Sequence, residues 1–459
     1  MMMKKLTAAF VVACCLTLPA AAQKTAPSKP LLTPDVALAL AYQNNPSLAA
    51  AQARVEQARQ QIEQARADKL PKLFAQLVGS WQGKESQIPV HLGATGQAIG
   101  YAVSNFEEVY QGSLGVQYLL FSSGAVEQTI SARRLAHLGI QAKETRTGQG
   151  VENAVYVSYY DLQRACAKLT VAEEVLQLAK EHLFEVESFF NYGVVAKNEV
   201  LRVQVDVSNG ELNVISAKNA VDVRWRALER AVGTSLRDRF DLPAPHLQPV
   251  MPKPPVWDDS TLYRWRPELK ALDYSRRSAL AVAAAAAGST GPKIVASGEV
   301  LTAGQNFWPD QQDTWKLQLS LRWDFFDGGK ARAQVREYRA AAQELLANIE
   351  DYKKQIALEV SSAQLNLESA MQKIAVATSQ VASAEEDYRM ALMRYKANVG
   401  TNLDVLDART SLSNARTQLV DSVYDSYSSR ANLDYALGLS GKFMLKDPME
   451  NSPEKSAGK

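Results

Sequence analysis

The sequence predicts a mostly α-helical chain with a small β part, in which one long helical hairpin occurs twice and four strands form an incomplete wall. Three observations carry this. From Ile349 to Tyr395, apolar residues recur in steps of three and four through Ile356, Val360, Leu367, Ile374, Val381 and Tyr388, with no Pro or Gly in between. That is the stripe of a long coiled-coil helix, with one local stutter at Val360. The stripe recurs 205 positions earlier, from Val151 through Val155, Leu162, Leu169, Leu176 and Leu183 to Phe190, with only Ser158 polar. An offset held that long marks an internal duplication whose halves fold alike and pack side by side. Finally, Trp315, Leu317, Leu319, Leu321, Trp323 and Phe325 alternate with Lys316, Gln318, Ser320, Arg322 and Asp324, so one strand face is apolar and the other polar.

Taken in order, the chain opens with a signal peptide over residues 1–22: Lys4 and Lys5 are basic, Leu6 to Leu18 apolar, and Ala20 to Ala22 a small-residue cleavage site. Lipidation at Cys14, after Val11-Val12-Ala13, is the alternative. Beyond the signal only Cys166 remains, so no intrachain disulfide is possible. No mature stretch is long and apolar enough for a membrane-spanning helix, and any crossing must use strands. A net charge of +2 gives no basis for a nucleic-acid partner.

The first repeat covers residues 23–237. Thr33 caps a short helix that starts at Pro34, and Asn45-Pro46 ends it and starts a second helix running to about Lys69. A strand pair occupies 72–121, with Leu73 to Trp81 as the weaker member, and a long helical hairpin occupies 125–232. The linker 238–266 is Pro-rich and reads as a belt around the middle. The second repeat, 267–440, holds a helix, a strand pair over 293–326 and a hairpin over 330–437, and a tail of 441–459 follows. The inter-strand connections differ, about 28 residues against 12, which makes them the variable end. Each long helix is roughly 100 Å long. Each return helix plus one proline-bounded helix nearly matches it, so the two shorter helices are expected to stack end to end beside the long one.

The strands alone leave two readings, half of a soluble sandwich or the wall of an outer-membrane barrel; the export signal favours the wall. Four strands cannot close a barrel, for which about eight is the minimum, so a barrel needs strands pooled from several copies.

Several motifs recur together. They are the helix starts Asn45-Pro46-Ser47-Leu48 and Arg266-Pro267-Glu268-Leu269, the breaks Phe121-Ser122-Ser123-Gly124 and Phe326-Asp327-Gly328-Gly329, and the two hairpin tips, Phe190 to Val200 and Arg394 to Ala408. In this combination the sequence resembles the TolC-like outer-membrane factor family of efflux and type I secretion systems, over nearly all of the mature chain. The resemblance implies a homotrimer whose twelve strands form a barrel in outer-membrane lipid. It continues as a helical tunnel through the periplasm to a periplasmic adaptor on an inner-membrane pump. Asn398 stands where the family often has Gly, and Asn is the next-best residue for positive φ.

Asp404 and Asp407 lie one turn apart and match the family's acidic residues at the periplasmic constriction. Three copies would set six carboxylates around a pore, able to attract cations. A second reading makes Asp404 part of a capping box with Thr401. Glu199 is the first-repeat counterpart of Asp404, with the same two readings. Gly193, Val194, Val195, Asn398, Val399 and Gly400 form the tips, where an exposed valine pair would suit an adaptor contact; the plainer reading is that they only make the turns. The four histidines, His91, His137, His182 and His246, lack metal-ligand spacing, and no phosphate loop or nucleophile elbow occurs. No catalytic residue, metal or cofactor is expected. The competing functions are an exported coiled-coil protein without channel activity and a single-chain diffusion porin; the latter needs more strands than this chain has.

Overall fold

In the computed structural model, residues 29–81, 83, 86–91, 98–105, 108–245, 257–305 and 312–439 are described. The signal peptide with Cys14, the middle of the Pro-rich linker and the C-terminal tail lie outside them. The fold is the expected mostly helical one. α1 (Pro34–Asn44) and α2 (Pro46–Ala67) lead into a β region, then α3 (Ala125–Asn191) and α4 (Lys197–Val232) form the first hairpin. After α5 (Asp259–Trp265), α6 (Pro267–Gly288) leads into the second β region, and α7 (Lys330–Lys396) and α8 (Asn402–Leu437) form the second hairpin. α3 and α7 each run for 67 residues, and the stutter at Val360 does not break α7.

Local chemistry sets the boundaries. The Thr33 side chain accepts the Val36 N–H at 3.3 Å, and the Asn45 side chain accepts the Ser47 N–H at 2.8 Å, each ahead of a proline in the first turn. α7 starts where Asp327 accepts the N–H groups of Gly329 (2.9 Å) and Ala331 (2.8 Å).

The β strands are β1 (Lys72–Trp81), β2 (Ser86–His91), β3 (Ala98–Asn105), β4 (Glu108–Phe121), β5 (Lys293–Gly304) and β6 (Gln312–Arg322). β1, β4, β5 and β6 form one antiparallel sheet in that order. The register sets Leu73 opposite Val116, Val116 opposite Gly298 and Gly298 opposite Leu317, so the apolar faces of both repeats coincide. One row over, Gln117, Ser297 and Gln318 align on the other face. Leu73, Leu77, Leu317 and Leu319 are 71–84% exposed, so this apolar face is bare within one chain. Two details differ from the sequence expectation. β6 stops at Arg322, leaving Trp323 and Phe325 past its end, and the long first connection carries a separate hairpin, β2 with β3. Pro89 within β2 argues against a strand on propensity, which hid that hairpin. Part of the expected linker is also helical: α5 is capped by Asp258, whose carboxylate accepts the Thr261 N–H at 2.9 Å.

The end-to-end stack is present in both repeats. At the end of α4, Asn45 donates to the carbonyl of Ala231 at 2.6 Å, joining α4 to the start of α2. Arg266 likewise donates to the carbonyl of Ala436, joining α8 to α6. Gly233 and Gly438 close the joints at φ 87° and 75°. A Cβ there would lie 2.5 Å from the Asn44 carbonyl oxygen or 2.6 Å from that of Trp265, so the helix ends approach too closely for any side chain. The core clusters around the two joints share a set of equivalent positions. Val151, Val155, Leu162 and Leu228 in one correspond at the same 205 offset to Ile356, Val360, Leu367 and Leu433 in the other.

Candidate functional site at the hairpin tips

Both hairpins turn by the same backbone chemistry. At the first tip the Gly193 N–H donates to the Phe190 carbonyl and the Val194 N–H to the Phe189 carbonyl, both at 2.9 Å. At the second, Asn398 donates to Tyr395 and Val399 to Arg394, again at 2.9 Å. These are paired 6→1 and 5→2 bonds, with the pivotal residue left-handed: Gly193 at φ 75° and Asn398 at φ 57°. Asn398 therefore performs the glycine role. Val194 and Val399 project from the tips, 52% and 68% exposed. Val195 does not; it packs against the core shared by the two hairpins, so the expected exposed pair reduces to Val194 alone. Its neighbour Ala196 begins α4, which turns Val195 back toward the bundle. Gly400 is half-buried, and a Cβ there would sit 3.0 Å from the Arg394 side chain.

The second return helix opens with a complete capping box. Asp404 accepts the Thr401 N–H at 3.0 Å, and Thr401 Oγ1 accepts the Asp404 N–H at 3.2 Å. The bond from the Thr401 backbone holds the Asp404 carboxyl below the usual carboxylate range. The capping role leaves Asp404 exposed. With Asp407, Glu386, Asp387, Met390 and Arg394 it lines a groove of about 530 Å³ between α7 and α8. Four carboxylates face one guanidinium there, so the groove is acidic.

Glu199 lies elsewhere. It accepts a long 3.5 Å hydrogen bond from the Tyr395 hydroxyl, at the contact between hairpins. Burial first, and the Glu199 charge second, push the Tyr395 hydroxyl up to about 12. The duplication maps Glu199 onto Asp404 in sequence, but the two hairpins pack asymmetrically and only Asp404 reaches the groove.

Beside Tyr395 is a buried polar cluster that hydrophobic periodicity does not reveal. His182 of α3 donates from Nε2 to the side-chain carbonyl of Asn402 at 2.8 Å, and its ring lies edge-on to Tyr395. Arg409 is buried and paired with Asp206 of α4, and Lys396 reaches Glu185 at 2.6 Å. The apolar spacing favours Leu183 on the stripe, whereas the chain buries His182 between Ala179 and Val186. Farther from the tip the hairpins meet through ion pairs: Arg164 with Asp425 and Lys168 with Asp421 at 2.8 Å, and Arg416 with Glu174, while Arg416 also holds Glu385 within the second hairpin. Among the described residues no group of His, Cys, Asp and Glu is arranged to hold a metal, and no helix is long and apolar enough to cross a membrane.

The family model described as outer membrane efflux protein matches residues 37–234 and 261–439. The chain belongs to the outer membrane efflux protein family. The two matched segments follow the duplicated repeats and omit most of the Pro-rich linker. The probable efflux pump outer membrane protein TtgC of Pseudomonas putida is 24% identical over 406 residues, covering 86% of this chain and 80% of its own. The cation efflux system protein CusC of Escherichia coli is 22% identical over 405 residues, with 86% and 84% covered. A crystal structure of CusC superposes with a TM-score of 0.74 at 22% identity, over 89% of this chain and 92% of that one. VceC of Vibrio cholerae gives 0.71 at 19% identity, over 88% and 96%. Membership of an outer membrane efflux protein family leaves the soluble-sandwich reading and the coiled-coil alternative without support.

Proposed function

We propose that three copies of this chain form one passive exit duct. It carries cargo from a periplasmic adaptor and an inner-membrane pump, through the periplasm and across the outer membrane. One observation carries the reading. Among the described residues, an open four-stranded sheet, apolar and bare on one face and unpaired at β1 and β6, runs directly into two helices roughly 100 Å long. Pairing β6 of one copy with β1 of the next closes twelve strands and leaves no edge. The relatives named as parts of efflux pumps and cation efflux systems support a pump at the other end, and the tip residues Gly193, Val194, Asn398, Val399 and Gly400 are the adaptor contact in this reading. Val195 supports the first turn from within. Energy for transport comes from the pump. Relatives named for toluene and for cations share this architecture, so the duct does not select cargo by its fold.

In the assembled duct Asp404 and Asp407 face the lumen and ring its periplasmic mouth. Replacing both with Ala is expected to raise the concentration of multivalent cation needed to block single-channel current. Unchanged block would remove the acidic-ring assignment while leaving the duct intact. Glu199 works instead between the hairpins, through Tyr395.

A further inference from the structure

The buried cluster around His182 has no part in conduction as described above. His182 is 2% exposed, and its Nε2 bonds to the Asn402 carbonyl. Because a carbonyl can only accept, Nε2 carries the proton in the neutral ring, and Nδ1 is left with a lone pair that no group among the described residues meets. The ring's covering comes from the other hairpin: Asn402 from α8, and Tyr395 from α7 at 5.2 Å between ring centres. Parting the hairpins would therefore uncover it.

We propose that His182 positions the two hairpins and makes their contact pH-sensitive, holding it shut while neutral and loosening it when protonated. The inference rests on the reading of the tips as the periplasmic mouth of a duct. The charges around the ring leave an added proton poorly placed. Arg409 of α8 and Lys396 of α7 are cations beside it. Glu185 of α3 holds Lys396 through Oε1, Asp206 of α4 pairs with Arg409, and Glu199 of α4 receives the Tyr395 hydroxyl; Glu185 Oε2 meets no hydrogen-bond donor and lies out of hydrogen-bond reach of His182 Nδ1. A protonated ring would carry a second N–H into a buried position lacking an acceptor, and leaving it unsatisfied is costly. Burial is also the main force pulling the His182 pKa below its ordinary value, with Arg409 and Lys396 adding to it against Asn402 and Glu185. The sign follows. A depressed histidine value means that the packed state binds fewer protons than the parted state. The contact is at full strength above about pH 6.5 and weakens as pH falls below it.

The test uses the full-length protein in planar bilayers between pH 7.5 and 5.5. His182→Gln retains an amide N–H for the Asn402 carbonyl but cannot titrate. The wild type should show open probability rising several-fold toward pH 5.5, and His182→Gln should be flat over the same interval. Equal pH profiles for the two proteins, or a flat wild type that conducts, would overturn the proposal and spare the duct; a wild type silent at every pH would sink both. A second measurement needs no substitution. Exchange of the histidine ring C–H, followed by mass spectrometry on the wild type, should give His182 a midpoint below about 6.5, and a midpoint at or above that value overturns the proposal.

Discussion

Asp404 serves the chain twice, once in partnership with Thr401. Their reciprocal bonds begin α8, and the Asp404 carboxylate remains in the acidic groove. Thr401→Ala removes one half of the box and should destabilise the hairpin end by about 1 kcal/mol, read as faster amide exchange over the first turn of α8. The pH dependence has the same sense as that of His182 but lies at lower pH. A carboxyl held below its usual value stabilises the cap above about pH 3.9, and the contribution is lost as pH falls through the depressed value. Asn398 shows what residue types reveal unaided. Its positive φ requires Gly or Asn, so Asn398→Gly should be neutral, whereas Asn398→Val should cost roughly 1–2 kcal/mol in thermal or chemical unfolding. His182 shows the limit. Histidine has no spacing signal of its own, and only the packed second hairpin reveals that it is buried.

The long helices and their 205-residue repeat were legible because hardly any arrangement except a long helix produces an apolar period sustained that far. The stacked short helices followed from length alone. The chemistry of the joints was not legible. Asn45 and Arg266 occupy equivalent positions and both cap the end of a return helix. Arg266 also engages Glu268 at 3.0 Å and Glu359 at 2.8 Å, with Arg146 sharing Glu268 at 2.6 Å. Sequence spacing cannot bring Arg146, Arg266 and Glu359 together, since they come from separate parts of the chain. Removing one partner of a buried network costs more than the network's net worth. Arg266→Ala should therefore lose about 3–5 kcal/mol, and Asn45→Ala in the first repeat only about 1 kcal/mol, compared by denaturant midpoint. Gly438→Ala should disrupt the same joint through backbone contact with Trp265. The β2–β3 hairpin escaped because it has no copy among the described residues of the second repeat and carries Pro89.

On the scale of the whole molecule, one chain is visibly incomplete. Among the described residues its sheet has two unpaired edges, and its apolar face, with Trp315 73% exposed, has nothing to cover it. Strand alternation and strand count revealed both deficits, because a two-residue period assigns faces and four strands are too few to close. In the proposed duct, lipid covers the face and other copies complete the edges. The most direct measurement is the protein mass of the full-length particle released from mild detergent, by native mass spectrometry. Three protomers are expected; a particle of a single protomer would contradict the shared barrel.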